Sequence, residues 1–179
     1  MNYISKLFII LFLVGSVAQS QIYNPVSWDT SVEKVSDSEF DLIITATVET
    51  GWHLYSQNVP EGGPIPTTIK IQENKALFEL IGKPTEGKGH EEFDKVFQMR
   101  IKYFDTKAVF KQRVNLLEIK KIDINGVLEF MVCDDTNCLP PTEIDLAFSI
   151  DPESLIVVSE TEVKDNSFLQ QSNITDSSD

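Results

Sequence analysis

Three features of the sequence predict an all-β protein, specifically an immunoglobulin-like antiparallel β-sandwich. Apolar and polar residues alternate with a period of two in segments 40–48, 97–103 and 144–150, as in strands with one buried and one solvated face. Clusters of Gly, Pro, Asn, Asp and Ser separate these and other short apolar segments. The third feature is the lack of any long helical period. About eight short strands in roughly 130 residues are typical of such a sandwich.

The predicted strands follow one another through residues 21–150. Five weaker strand candidates complement the three strong ones, at 25–34, 67–72, 76–81, 107–118 and 126–132. Residue types that favour tight turns predict breaks between strands at 36–38, 62–64, 82–84 and 125–126. A domain of this size can bury a real core, so it does not need a disulfide for stability.

The two ends of the chain differ from this domain. Lys6 precedes an apolar run at 7–14 and small residues at 15–20, which is the pattern of a secretory signal peptide. We therefore expect residues 1–20 to direct export and the mature protein to act where disulfides persist. Residues 151–179 are rich in Ser, Asp and Glu and predict an acidic flexible tail or linker.

The charge of the chain argues against nucleic acid as a partner. The formal net charge is −13 at pH 7, and an acidic surface repels phosphate backbones. The charge divides into +1 for residues 1–20, −8 for residues 21–150 and −6 for residues 151–179.

The two cysteines, Cys133 and Cys138, are too few for a disulfide-stapled scaffold. Only four residues lie between them, and closing so short a loop stabilises a fold by about 2 kcal/mol. Three roles remain open: a redox-active disulfide, a structural loop clip, or two ligands of a metal site. A metal site would need further ligands, and the only histidines are His53 and His90.

The residues around the cysteines indicate how such a pair would behave. Asp134 and Asp135 lie within the loop, and nearby carboxylates disfavour a thiolate. Thiols of this kind exchange slowly until a partner docks, which is typical of an electron carrier. Pro140 and Pro141 lack backbone donors and fix the chain direction after the loop, so we expect them to support it.

Four local motifs resemble the N-terminal periplasmic domain of the thiol:disulfide interchange protein DsbD, in its Bacteroidota-type form. The resemblance spans roughly residues 24–150. The motifs are the two cysteines with Leu-Pro-Pro-Thr at 139–142, Gly-Trp-His-Leu-Tyr-Ser at 51–56, Gly-Pro-Ile-Pro-Thr at 63–67 and His-Glu-Glu-Phe at 90–93. The chain departs from the best-known members in one respect, because they have five residues between the cysteines.

The resemblance implies an immunoglobulin-like fold with a redox disulfide loop at one edge, without a metal or other cofactor. Domains of this family receive electrons from a thioredoxin-like domain that is supplied through a transmembrane electron channel. They pass them to periplasmic thioredoxin-fold proteins, including a disulfide isomerase and cytochrome c maturation factors. This chain would then be a periplasmic part of a protein-disulfide reductase system.

The resemblance also implies roles for individual residues. Cys138 would form the mixed disulfide with a partner, and Cys133 would resolve it. Phe93 would cover the disulfide until a partner displaces it. The other implied site residues are an acidic pair and two lining side chains, namely Glu91, Glu92, Tyr55 and His53. Two alternatives stay open: a non-catalytic immunoglobulin-like binding module with a structural disulfide clip, and a metal chaperone.

Overall fold

A computed structural model describes residues 23–155, which contain eleven β-strands and no helix. The strands are β1 (Val26–Lys34), β2 (Glu39–Val48), β3 (His53–Tyr55), β4 (Thr68–Ile71), β5 (Phe78–Glu86), β6 (His90–Asp94), β7 (Met99–Phe104), β8 (Lys107–Leu116), β9 (Ile122–Phe130), β10 (Val132–Cys133) and β11 (Thr142–Ile150). The predicted signal peptide and the tail beyond residue 155 lie outside the described residues. Within residues 23–155, no helix is long and apolar enough to cross a membrane.

The strands pair antiparallel in three sheets. The first sheet has the order β1-β2-β8-β5, the second β11-β9-β4, and the third β10-β3-β7-β6. Side chains of the first and second sheets share one core, and at one edge the Thr30 hydroxyl donates to the carbonyl of Ala147 at 3.0 Å. The prediction of an all-β antiparallel sandwich is confirmed.

The main core is made of the apolar faces that the alternation predicts. In β2 all five alternating apolar residues are buried: Phe40, Leu42, Ile44, Ala46 and Val48. Leu146, Phe148 and Ile150 of β11 are buried from the opposite sheet. Each of these side chains except that of Ala46 contributes about 1.5–3 kcal/mol when it leaves water.

The third sheet stands at one end of the sandwich and has two different faces. Leu54, Phe104 and Val132 point into the main core. The alternate residues Tyr55 and Cys133 belong to a second buried cluster on the other face. Since neighbouring residues of a strand point to opposite faces, the same short strands hold the sheet to the sandwich and present the cysteine away from it.

Two predicted turns are instead parts of strands. Gly126 lies inside β9 and is buried, because β4 approaches so closely that a Cβ atom there would lie 2.7 Å from the carbonyl oxygen of Lys70. Gly82 adopts a φ of 69° at an irregularity where the register of β5 shifts between Ile81 and Thr85. The chain bulges there and continues as one strand.

Three short strands were not predicted, β3, β6 and β10. All three belong to the third sheet, where β3 and β6 pair with β7, and β10 pairs with β3. Strands of two to five residues are too short to show a two-residue period, so their pairing depends on neighbours distant in sequence.

Candidate functional site

The disulfide between Cys133 and Cys138 closes a tight hairpin turn at the end of the third sheet. Their Cα atoms lie 4.0 Å apart, and the two residues also form a β-bridge. The backbone N–H of Asp134 donates to the carbonyl of Asn137 at 2.9 Å, and that of Leu139 donates to Val132 at 3.0 Å. The four intervening residues therefore fit a regular turn.

The side chain of Asp134 organises this turn. Its Oδ1 accepts hydrogen bonds from the backbone N–H groups of Thr136 at 2.8 Å and Asn137 at 2.6 Å. These bonds lower the pKa of Asp134, so the loop carries a carboxylate. Asp135, Pro140 and Pro141 are exposed around it.

The two sulphur atoms have different surroundings. Cys133 is 0% exposed and shares the second cluster with Tyr55 and Ile101, which are equally buried. Cys138 is only partly buried and packs against the edge of the cluster. Other partly buried side chains surround the cluster: Val59, Phe97, Met99, Tyr103 and Met131.

An aspartate ties the turn between β6 and β7 to this cluster. The Tyr55 hydroxyl donates to Asp94 Oδ2 at 2.8 Å. Asp94 Oδ1 accepts the backbone N–H groups of Val96 and Phe97 at 2.8 and 3.0 Å. Phe97 then meets the Tyr55 ring edge-on, with centroids 5.9 Å apart. One carboxylate thus holds an aromatic turn beside the cysteine cluster.

His53 lies directly across the sheet from Cys133. The register pairs His53 of β3 with Cys133 of β10. The imidazole ring stacks on Tyr103, with centroids 4.2 Å apart. On the other side of Tyr103, at 6.1 Å, is His90, whose Nε2 lies 3.4 Å from an Asp105 carboxylate oxygen.

The structure separates the residues of β6 that the resemblance assigns to the site. Glu92 pairs with Ile101 in the register, and its carboxylate accepts the Tyr103 hydroxyl at 3.3 Å. Glu91 alternates to the other face and lies 3.8 Å from Arg100. Phe93 pairs with Arg100, so it shares the face of Glu91 and not that of Glu92, and it is 55% exposed.

A cleft of about 300 Å³ opens between β6 and the cysteine loop. Its lining joins residues from four separate segments of the sequence: His53, Glu92, Phe93, Asp94, Lys95, Val96, Tyr103, Asp134 and Asp135. The cleft is therefore mainly acidic, with an exposed apolar rim at Phe93 and Val96. Six of the residues expected at the site are outside this lining: the two cysteines, Tyr55, Glu91, Pro140 and Pro141.

Sequence reasoning missed Asp94, Phe97 and Tyr103 as site residues. The sequence did mark Phe97 and Tyr103, because both lie on the alternating apolar face of segment 97–103. That face was expected in the sandwich core, but it packs on the second cluster. Within the described part of the chain, no group of three or more His, Cys, Asp or Glu side chains could hold a metal ion.

Solved structures with this fold are distant in sequence. The N-terminal periplasmic domain of ScsB from Proteus mirabilis is 16% identical, with a TM-score of 0.52, over 74% of this chain and 49% of that one. The chain thus spans about half the length of that structure. The reduced DsbD N-terminal domain of Neisseria meningitidis is 18% identical, with a TM-score of 0.46, over 69% of this chain and 86% of that one.

A sequence search of curated proteins gives no match. The family model of the N-terminal domain of thiol:disulfide interchange protein DsbD matches residues 24–149. This match covers both cysteines, every strand of the third sheet and nearly the whole sandwich. The chain therefore belongs to the family of DsbD N-terminal domains.

Proposed function

We propose that this protein is a periplasmic thiol–disulfide exchange module that relays electrons through Cys133 and Cys138. A membrane-linked thioredoxin-like donor reduces the disulfide, and the dithiol then reduces thioredoxin-fold acceptors. Membership of the DsbD family supports interchange as the activity. The predicted signal peptide and the periplasmic ScsB relative support the location.

The observation that carries the proposal is the difference in exposure between the two cysteines. Cys133 is fully buried, whereas Cys138 reaches the surface. A thiolate on another protein can therefore approach Cys138, and attack there releases Cys133. A bond that only clipped the loop would need no such asymmetry.

The exchange needs no cofactor, because sulphur atoms carry the electrons. A partner thiolate attacks the Sγ of Cys138, the disulfide breaks, and its electron pair passes to the Sγ of Cys133. The second thiol of the partner loses its proton and attacks the mixed disulfide, which releases Cys138. The partner dithiol becomes a disulfide while the two cysteines gain two electrons and two protons.

The acidic cleft beside the disulfide suits a partner whose docking face is apolar and basic. Phe93 and Val96 offer exposed apolar area, and the carboxylates of Glu92 and Asp135 lie beside them. Complementary charge steers encounter and orients the partner, while apolar contact supplies affinity. The resemblance assigns Phe93 the role of covering the disulfide until the partner displaces it. Here Phe93 alternates with Glu92 along β6 and is 55% exposed, so covering requires this side chain to turn toward the disulfide.

Mixed-disulfide trapping tests the proposal. Cys133→Ser leaves Cys138 without its resolving thiol. The probe is a thioredoxin whose second cysteine is replaced by serine and whose first cysteine is activated as a mixed disulfide. The Cys133→Ser variant should trap this thioredoxin. We expect a covalent one-to-one complex on a non-reducing gel that dithiothreitol dissociates. Cys138→Ser is the matched control and should trap little, because Cys133 is buried.

The outcome that contradicts the proposal is equally defined. If neither variant forms a complex, and reduced thioredoxin leaves the wild-type disulfide intact, the bond is a structural clip. The domain would then be a non-catalytic binding module. Equal trapping by the two variants would overturn the assignment of Cys138 as the attacked sulphur.

A further inference from the structure

Reduction of this disulfide requires a proton donor near the buried sulphur of Cys133. When a partner attacks Cys138, the electron pair of the broken bond passes to Cys133, which is 0% exposed. A thiolate in such an apolar cluster is costly, because burial disfavours the charged form. The loop itself has only carboxylates as ionisable side chains, at Asp134 and Asp135. A carboxyl group with an ordinary pKa is ionised at neutral pH and is a poor proton donor.

His53 lies where a proton donor to Cys133 is required. It is the register partner of Cys133, and directly opposed residues in an antiparallel pair have Cβ atoms about 4.5–5.5 Å apart on the same face. Both residues lie on the face of the third sheet that carries the second cluster. Stacking on Tyr103, which itself packs against that cluster, holds the imidazole on this face.

His53 also reaches solvent. Its side chain is half-buried and lines the cleft, so the register partner of Cys133 is also accessible to water. Histidine is the side chain that gains and loses a proton between pH 5 and 8. Ionisable neighbours from the surrounding elements share the cleft: Glu92, Asp94, Lys95, Tyr103, Asp134 and Asp135. His90 is more remote, because it lies beyond Tyr103 and beside Asp105.

We propose that His53 donates the proton that Cys133 takes up when the disulfide is reduced, and accepts it when Cys133 resolves a mixed disulfide. This inference rests on the proposed exchange function and names the proton path within it. On reduction, the imidazolium N–H bond breaks, an S–H bond forms on Cys133, and the neutral imidazole regains a proton from water in the cleft. On resolution, the imidazole removes that proton, and the Cys133 thiolate attacks the Sγ of Cys138 in the mixed disulfide. The Cys133–Cys138 bond re-forms, the bond to the partner breaks, and the partner leaves as a thiolate.

The pH profile of reduction tests the proposal. The probe is dithiothreitol, and the rate constant is expressed per dithiothreitol thiolate between pH 5 and 8. For wild-type protein we expect this constant to rise as the pH falls, because protonated His53 stabilises the departing Cys133. For His53→Gln we expect a flat profile that is about tenfold lower at the acidic end and equal to wild type at pH 8.

The chain offers a matched control in its only other histidine. His90→Gln removes an imidazole on the far side of the same tyrosine ring and should keep the wild-type profile. His53→Tyr preserves an aromatic ring against Tyr103, so a purely structural role would leave its profile unchanged. We expect His53→Tyr to behave like His53→Gln, and it also serves if the glutamine variant fails to fold.

Two results would overturn this inference. One is a wild-type profile in both His53 variants, and the other is loss of the profile in His90→Gln. The proposed function fails separately, if dithiothreitol reduces the wild-type disulfide but a reduced thioredoxin does not. The pH dependence assigned to His53 could then still be measured with dithiothreitol.

Discussion

Tyr55 and Tyr103 keep the immediate surroundings of the buried sulphur uncharged. Burial, and then the hydrogen bond to Asp94, raise the pKa of Tyr55 well above its usual range. Burial and the charge of Glu92 also raise the pKa of Tyr103. Both hydroxyls therefore stay protonated at neutral pH and donate to carboxylates at the edge of the cluster. The negative charge of the site is confined to the cleft.

Phe93 provides a test at the level of a single residue. Its aromatic ring is expected to cover the disulfide, although the side chain is 55% exposed in this structure. If it covers the bond, Phe93→Ala should make reduction by dithiothreitol about fivefold faster at a fixed pH, because access limits thiol exchange. The measurement is the pseudo-first-order rate of reduction.

Val96→Ala is the control for Phe93. Val96 is also apolar, is 43% exposed, and lines the same cleft. Its truncation should leave the rate unchanged, because no covering role is assigned to it. An unchanged rate in Phe93→Ala would remove Phe93 from that role. The next candidate for the covering role would then be Phe97, which packs beside Tyr55.

At the scale of elements, a buried carboxylate joins the third sheet to the sandwich. Glu86 at the end of β5 accepts the Ser56 hydroxyl at 2.5 Å, the Gln57 backbone N–H at 2.8 Å and the Lys102 ammonium at 2.9 Å. Ser56 and Gln57 follow β3, and Lys102 lies in β7. Three charge-assisted hydrogen bonds therefore fix the strand that carries His53 and Tyr55.

The pH dependence of stability tests the contribution of the Glu86 hydrogen bonds. Burial raises the pKa of Glu86, but the hydrogen bonds from Ser56, Gln57 and Lys102 outweigh it, so the pKa lies below its ordinary value. A carboxyl group with a lowered folded pKa stabilises the protein fully above the unfolded pKa, about 4.3. That stabilisation is lost as the pH falls through the lower folded pKa.

The variant Glu86→Gln should lower the free energy of unfolding by about 2 kcal/mol at neutral pH. The loss should shrink at acidic pH, because the wild-type carboxylate becomes protonated there. Urea unfolding at several pH values measures both effects. Glu33→Gln is the control, since its pair with Lys111 is 3.0 Å long but exposed, and should change stability little. A pH-independent loss in Glu86→Gln would contradict the ionic role.

At the scale of the whole molecule, the disulfide and the fold should be nearly independent. The three sheets share a core without either sulphur atom, because Cys133 belongs to the second cluster. Replacing both cysteines by alanine should therefore cost only about 2 kcal/mol, the entropy of closing a short loop. Urea unfolding of the double variant measures this.

The same measurement distinguishes a redox-active disulfide from a structural one. A double alanine variant that fails to fold, or loses much more stability than the loop entropy, would show that the bond holds the structure together. The expected small loss would leave the bond free to open and close during exchange. Intact far-ultraviolet circular dichroism of the reduced wild-type protein is the matching observation.

Much of this architecture follows from the sequence alone. The alternation in 40–48 and 144–150 determined which faces of β2 and β11 are buried, because a two-residue period leaves a strand only one way to hide its apolar side. The spacing of Cys133 and Cys138 likewise determined that any bond between them is local. Local composition was sufficient in these places because the information lies within one segment.

Only the tertiary structure decided how the site is assembled. β3, β6 and β10 are too short to carry a periodic signal. They exist because β7 pairs with β3 and β6, and β3 in turn pairs with β10. Their pairing places His53 opposite Cys133, though 80 positions separate the two in the sequence. It also turns Phe93 away from Glu92 and brings Asp94 to Tyr55. Such neighbours depend on strand register, which long-range packing sets and no single segment encodes.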